Sequence, residues 1–256
     1  MNLGVAEDIL VSVLLASVRA LAWMMAVPPF NSRMIPARVK TLVSVAIAIA
    51  VHPALVEGAP STSDTGAFMT AIAEQVVVGV SLGFVTALFF AALQAAGSII
   101  DLFGSFSVAS AYDPFSGAAN AVFGRFYNIL ATALLFATDG FAMIVRGFAT
   151  SYRALPVGEV FSFELLARLL TTGIDQMFVA ALQIAGPLVA VLFCTDVALG
   201  LLTRVSPGLN VFSIAFPVKI GLTLLIASTA LVLLPQAFNG LIDRAVRAVL
   251  DLLGGP

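Results

Sequence analysis

Long runs of apolar residues alternate with short polar stretches along this chain, and their lengths predict its secondary structure. Six runs stand out, at residues 9–27, 41–56, 67–100, 121–149, 174–202 and 211–234. A helix of about 20 apolar residues spans the hydrocarbon core of a bilayer, whereas a membrane β-barrel alternates apolar and polar residues. The pattern therefore predicts an all-α membrane protein with about six hydrophobic helical segments.

The composition supports this class and excludes others. Of 256 residues, 61% are hydrophobic and only 10% are charged, whereas soluble domains have about 25% charged residues. The net charge of −2 gives no basis for binding nucleic acid. A cleaved signal peptide is not predicted, because Glu7 and Asp8 replace the basic start and no small-residue cleavage site follows.

The stretch at residues 97–117, GSIIDLFGSFSVASAYDPFSG, differs from an ordinary loop. Its Gly and Ser residues make the backbone permissive, and Pro114 prevents a helix from running through it. It also carries four aromatic residues that a solvated linker would avoid. It is either buried inside an assembly, where it blocks or shapes a path, or lies among lipid headgroups with its aromatic rings as anchors. Composition by itself favours the second interpretation.

The basic residues fit a simple membrane topology poorly. Arg33, Arg38 and Lys40 place the loop after the first run on the cytoplasmic side. Residues 41–124 then contain no lysine or arginine, although the central stretch should face the same side. Either the topology differs, or some segments are not conventional spans that face lipid.

Small residues in the third run predict close helix packing. Gly79 and Gly83 form a G-x-x-x-G motif, which allows another helix to approach closely. We expect this face, which continues through Ala91, Ala92, Ala95 and Ala96, to contact neighbouring subunits.

The fifth and sixth runs predict a helical hairpin that contains one acid and one base. Its turn is centred between Pro207 and Gly208, and Asp196 precedes that centre by as many residues as Lys219 follows it. The two charges would lie at the same height in an antiparallel pair. A charge in an apolar setting is costly unless it is paired, so we expect an ion pair. Alternatively, Lys219 snorkels to the cytoplasmic side or meets an acid on a neighbouring subunit.

The sequence carries no enzyme motif in a fitting context. It lacks H-E-x-x-H and the P-loop. Residues 79–83, GVSLG, match the letters of G-x-S-x-G but lie inside an apolar run rather than at a strand-to-helix turn. No two of the isolated acids have a spacing that defines an acid–base site. A single cysteine, Cys194, and a single histidine, His52, argue against a metal site. We expect no catalytic residues, cofactor or metal. Acids within apolar runs leave a proton-coupled secondary transporter acting alone as the alternative function.

Six motifs together resemble one family. The motifs are VPPFNSRMIPARVK at 27–40, GVSLGF at 79–84, AGSIIDLFGSFSVASAYDP at 96–114, LLFATDGF at 134–141, SYRALPVG at 151–158 and GPLVAVLFCTDVALGLLTRVSPGLNVFSIAFPVKI at 186–220. Their order and spacing are similar to those of the FliR family of flagellar export-gate proteins, called SctT in injectisomes, over almost the whole chain. The chain departs from the family pattern at Gly208, Ala215 and Phe141, where the family commonly has Gln, Gly and His.

The resemblance implies an architecture of bent helical hairpins. Residues 1–173 would form a FliP-like part, residues 174–238 a FliQ-like hairpin, and residues 239–256 a short amphipathic tail. Pro207, Asn210 and Pro217 would take part in packing the hairpin. The stretch 97–117 would act as a plug, formed by Phe103, Gly104, Phe106, Tyr112, Asp113, Pro114, Phe115 and Gly117.

The resemblance also implies partners and a location. The chain would join FliP-like and FliQ-like membrane subunits in a channel for unfolded flagellar substrates, and would act with FlhA and FlhB. It would sit among membrane lipid in the bacterial inner membrane, at the flagellar basal body.

Overall fold

The structure is all-helical where it is described. The computed structural model describes residues 3–28, 30–51, 65–107, 121–157, 162–208 and 210–252. Within these ranges there is no β-strand. The helices are α1 (Leu3–Ala26), α2 (Ala37–Val51), α3 (Thr65–Phe103), α4 (Val122–Ala137), α5 (Gly140–Ala154), α6 (Phe163–Val205) and α7 (Val211–Leu252).

Four stretches within these helices are long and apolar enough to cross a membrane, which confirms the predicted class. They lie in α1, α3, α6 and α7, and α4 with α5 would make a fifth if the two are one broken span. Their bounds are Ile9–Ala26, Thr65–Phe103, Leu166–Val205 and Ser213–Val232.

Helix boundaries differ from the predicted runs in two ways. The fourth run is broken, because the backbone of Thr138 is extended and ends α4 before α5 begins at Gly140. The fifth and sixth runs belong to longer helices, since α6 begins at Phe163, ahead of residue 174, and α7 continues past residue 234 to Leu252. Proline does not end these helices: Pro187, Pro217 and Pro235 lie inside them. A long apolar helix can tolerate the loss of the one backbone hydrogen bond that each proline removes.

The chain divides into two compact units, each made of separate segments. The first contains Met1–Phe89, Asp139–Ile174 and Ile242–Pro256, and the second contains Phe90–Thr138 and Asp175–Leu241. The FliP-like and FliQ-like division at residues 173 and 238 stays a prediction.

In the first unit, α2 packs against α1. The buried face of α2 consists of Lys40, Ser44 and Ala48, which are spaced one helical turn apart. The Ser44 hydroxyl lies 3.4 Å from the sulfur of Met24 in α1. Lys40, which the sequence assigned to a cytoplasmic cluster with Arg33 and Arg38, is therefore buried against α1, whereas the two arginines are exposed.

The G-x-x-x-G face of α3 packs against α1 of the same chain. A Cβ atom at Gly79 would overlap the carbonyl oxygen of Arg19, and one at Gly83 would lie 2.9 Å from that of Trp23. At Gly79 and Gly83 the expected contact with another subunit is wrong, because α1 already occupies this part of the face. For the alanines at 91, 92, 95 and 96 it stays a prediction. In the second unit, Ala92 and Ala96 are buried, while Ala91 and Ala95 are partly exposed.

Candidate functional site

The central segment comprises residues 104–120 between α3 and α4, and the structure describes residues 104–107 of it. This described part begins with a sharp turn. The Gly104 N–H donates to the carbonyl oxygen of Ile100 at 2.8 Å. The next residue, Ser105, has φ 68°, in the left-handed region that only a few per cent of residues other than glycine adopt. A left-handed residue just past a helix turns the chain off the helix axis.

The two ends of the central segment are held together by a buried carboxylate. Asp101, in the last turn of α3, is 3% exposed. It accepts hydrogen bonds from the backbone N–H groups of Phe123 and Gly124, both at 3.0 Å. These are the free N–H groups of the first turn of α4, whose own N-cap, Ala121, supplies no side-chain bond. Asp101 therefore caps α4 from a neighbouring helix, where a negative charge is also favoured by the helix dipole.

Close backbone contact supports the same junction. A Cβ atom at Gly97 in α3 would lie 2.6 Å from the nitrogen of Gly124, so only glycine lets the helices approach this closely. The ring of Phe106 meets that of Phe123 edge to face, with centroids 5.2 Å apart. The start of the central segment is thereby packed on α4.

The same end of the central segment contacts α7. A Cβ atom on Gly104 would lie 2.8 Å from the hydroxyl oxygen of Thr223, which is fully buried. Thr223 donates that hydroxyl to the carbonyl oxygen of Lys219 at 2.7 Å. The helix that carries Lys219 therefore packs directly on the start of the central segment.

The structure brings Asp196 of α6 and Lys219 of α7 together. The Lys219 Nζ atom lies 2.8 Å from Oδ1 and 3.0 Å from Oδ2 of Asp196. The side chain of Lys219 is 12% exposed and that of Asp196 44% exposed, so the pair is open on the acidic side.

At the turn of this hairpin, Asn210 precedes the first residue of α7. Its side-chain oxygen accepts from the Ser213 N–H at 3.4 Å, which is an N-cap contact. Pro207 lies exposed in the turn, and Pro217 lies exposed inside α7.

A second polar cluster, which the sequence reasoning missed, surrounds Arg19 in the first unit. Arg19 is fully buried, and its Nε donates to the side-chain oxygen of Gln75 at 2.7 Å. Its Nη1 donates to the carbonyl oxygens of Leu155 at 2.9 Å and Ser151 at 3.4 Å, at the C-terminal end of α5. Its guanidinium carbon lies 4.6 Å from the ring centre of Tyr152.

The charge of Arg19 is balanced without a carboxylate. No ion pair between described residues includes Arg19. Instead, the negative end of the α5 dipole and the face of the Tyr152 ring stabilise it, since both favour a cation. One feature of the sequence points to this residue, because Arg19 is a lone arginine in the middle of the first apolar run, where a charge needs partners. Its partners lie 56 to 136 residues away, a separation that sequence spacing does not reveal.

The described residues contain no group of three His, Cys, Asp or Glu side chains that could hold a metal ion. Cys194 is an exposed free thiol.

Comparison with known proteins decides the family. A sequence profile described as "Bacterial export proteins, family 1" matches residues 10–245. The chain belongs to this family, which includes the FliR proteins.

The alignments with relatives in this family cover most of each relative and most of this chain. The flagellar biosynthetic protein FliR of Pectobacterium carotovorum is 32% identical over 92% of this chain and 90% of its own. FliR of Bacillus subtilis is 28% identical over 96% and 97%. The surface presentation of antigens protein SpaR of Salmonella typhimurium is 30% identical over 78% and 74%.

The residues assigned to a plug by resemblance to the FliR family are described only in part. Phe103 and Phe106 are half-buried and Gly104 is buried, at the junction held by Asp101. The remaining five lie outside the described residues: Tyr112, Asp113, Pro114, Phe115 and Gly117. Their role as a plug stays a prediction.

Proposed function

We propose that this chain is the FliR-type subunit of a flagellar protein export gate. It would form, with FliP-like and FliQ-like subunits, the channel through which unfolded flagellar substrates leave the cytoplasm, in the inner membrane at the flagellar basal body. It performs no chemistry of its own. Energy would come from an ATPase complex and the proton gradient, through partners such as FlhA and FlhB.

The observation that carries this proposal is the family match over nearly the whole chain. The profile covers residues 10–245, and the FliR relatives have flagellar names. The SpaR relatives show that similar chains carry names outside flagella, but the FliR of Pectobacterium carotovorum aligns over more of this chain than the Salmonella SpaR does. We therefore favour the flagellar system.

The exposed apolar surface supports assembly with other subunits. In the membrane-length apolar stretch of α3, 56% of the residues are buried. The share is 28% in the stretch of α6 and 11% in that of α7. Large side chains such as Phe178, Phe193 and Leu225 are more than half exposed. Apolar surface of this extent contacts either lipid or protein partners. In a gate, much of it would be the interface with the FliP-like and FliQ-like subunits.

The junction at Asp101 supports a plug in the central segment. The segment starts and ends at the same buried point, since Asp101 near its start caps the helix that follows it. A plug needs a fixed attachment at its base, so that it can enter a channel without separating the helices that flank it. The shared attachment at Asp101 therefore supports the proposed plug.

The environments of four described acids favour the gate over a proton-coupled transporter. Asp101 is committed to two backbone N–H groups, and Asp196 is committed to Lys219. Asp139 and Asp175 are exposed. A proton relay needs acids that exchange protons along a buried path.

Deletion of residues 105–112 tests the plug. The matched control deletes residues 57–64, an equally long polar stretch. In cells or proteoliposomes carrying the assembled gate, we expect only the first deletion to raise ion leakage, with recovery of the FliP-like and FliQ-like subunits retained. An assembled gate that stays tight would contradict the plug. Failure to assemble would instead make these residues a static core.

Purification in mild detergent tests the gate itself. We expect the tagged chain to recover FliP-like and FliQ-like subunits in a stable complex. Loss of the gene should abolish flagellar filaments, and the complementing gene should restore them. Solute uptake by the chain alone in liposomes would support the transporter and contradict the proposal.

A further inference from the structure

A basic cavity lies in the first unit, and no residue of the central segment is among its described lining residues. Its volume is about 940 Å³, within the usual range of about 300–1,000 Å³ for sites that enclose a small molecule. Arg146, Thr150 and Arg153 of α5 line it. The arginines are seven residues apart, so they project from the same face of the helix, about 10 Å from each other along its axis.

The positive charge in this cavity is not neutralised by the described part of the chain. No ion pair between described residues includes Arg146 or Arg153, and no acid is among the described lining residues. Tyr152, which also lines the cavity, has its ring 4.6 Å from the guanidinium carbon of Arg19. The guanidinium of Arg19, which has no carboxylate partner among the described residues, therefore lies one ring away, and the cavity favours an anion with more than one acceptor oxygen.

The rest of the lining is apolar. Val51 at the end of α2, together with Ala149 and Pro156, provides surface without hydrogen-bonding side chains. Inorganic phosphate would leave this surface in contact with water, whereas a lipid would cover it with the beginning of its acyl chains. Basic pockets between membrane helices are known to bind acidic lipid headgroups.

We propose that this cavity binds the headgroup of an acidic phospholipid. Arg146 and Arg153 hold the phosphate oxygens with Thr150 between them, and Val51, Ala149 and Pro156 contact the glycerol and the upper acyl chains. The site is independent of the gate, because it uses no residue of the central segment or of the hairpin pair.

The test uses the full chain, purified in mild detergent and freed of lipid. Binding of phosphatidylglycerol, phosphatidylcholine and inorganic phosphate is measured by native mass spectrometry titration. We expect phosphatidylglycerol to bind in preference to phosphatidylcholine, and millimolar phosphate not to displace it. The double variant Arg146→Gln/Arg153→Gln should bind phosphatidylglycerol roughly 30-fold more weakly, from a loss of about fivefold for each arginine.

The matched control is Arg33→Gln/Arg38→Gln, which removes the same charge from exposed positions outside the cavity. It should bind phosphatidylglycerol as the parent does. Arg146→Lys/Arg153→Lys keeps the charge and should bind more tightly than the glutamine variant. Fluorescence of Trp23, the one tryptophan and a buried residue of this unit, reports whether each variant is folded.

Three results would overturn the proposal. Equal lipid binding by the parent and the glutamine variant would remove the role of the arginines. Displacement of the lipid by phosphate at equal concentration would make the ligand free phosphate. Loss of the lipid on addition of the FliP-like or FliQ-like subunit would make the cavity a subunit interface.

Discussion

Replacement of Asp101 by alanine tests whether one carboxylate holds the base of the central segment. Asp101 is 3% exposed, and both of its oxygens accept backbone N–H groups at 3.0 Å. The substitution removes both acceptors and leaves the N–H groups of Phe123 and Gly124 without a partner in a buried position. Water cannot easily replace the lost acceptor there.

The magnitude follows from these two bonds. Loss of an N-cap costs about 0.5–2 kcal/mol, and a hydrogen bond to a charged group contributes about 1.5–3 kcal/mol. Because the site is buried, we take about 1.5 kcal/mol for each of the two bonds, where the two ranges meet, which gives about 3 kcal/mol for the pair. For a chain of this size each kcal/mol lowers the melting temperature by about 2–4 °C, so Asp101→Ala should lower it by roughly 6–12 °C. Asp101→Asn keeps one acceptor and should lose about half as much.

The assay is thermal unfolding of the purified chain in detergent, followed by limited proteolysis. The control is Asp175→Ala, which removes an exposed acid from α6. We expect faster cleavage within residues 104–120 in the Asp101 variants and unchanged cleavage in the control. Trp23 lies in the other unit, so its emission before unfolding should not change. If Asp101→Ala melts with the parent and is cleaved at the same rate, the carboxylate does not anchor the segment.

Three further substitutions test other contacts. Lys219→Asp should reduce recovery of the assembled gate by leaving two acids together, and adding Asp196→Lys should restore it; in the isolated chain the effect should stay below about 1 kcal/mol, because the pair is partly exposed. A double variant as defective as the single one would show that the pair has no role in assembly. Arg19→Met should destabilise the first unit by about 3 kcal/mol or more, since Gln75 and two carbonyl oxygens of α5 lose their donor, and Arg19→Lys should recover part of this; Trp23 fluorescence during unfolding measures both, and equal stability of all three chains would contradict the reasoning. Gly83→Leu should destabilise the isolated chain by about 1–3 kcal/mol by overpacking α1, whereas Gly200→Leu, with open space around the glycine, should not; equal melting temperatures would show that α1 can shift to make room.

Several features could be read directly from the sequence because they depend on local pattern. The apolar runs predicted the membrane helices, since their length and lack of charge hold whatever the rest of the chain does. The motifs and their spacing indicated the FliR family, which the profile over residues 10–245 confirms. Equal distances from Pro207–Gly208 placed Asp196 opposite Lys219, because a hairpin is a local structure with a fixed rise per residue.

Boundaries were less predictable where proline and glycine have more than one outcome. The prolines at 187, 217 and 235 stay inside helices, while a Thr138-Asp139 pair without proline ends one. Propensity describes the isolated backbone, whereas neighbouring helices and the apolar environment determine whether a missing hydrogen bond is tolerated.

The amino-acid sequence by itself determined the class of protein, its family and the short-range hairpin contact. Only the tertiary structure decided the partners of the long-range contacts: Asp101 with the start of α4, Gly79 and Gly83 with α1 rather than another subunit, and Arg19 with the end of α5. Each of these depends on which helices lie side by side. The periodicity of a helical sequence identifies a face of apolar or small residues, or a charge within an apolar run. It does not identify the helix that covers that face or that charge.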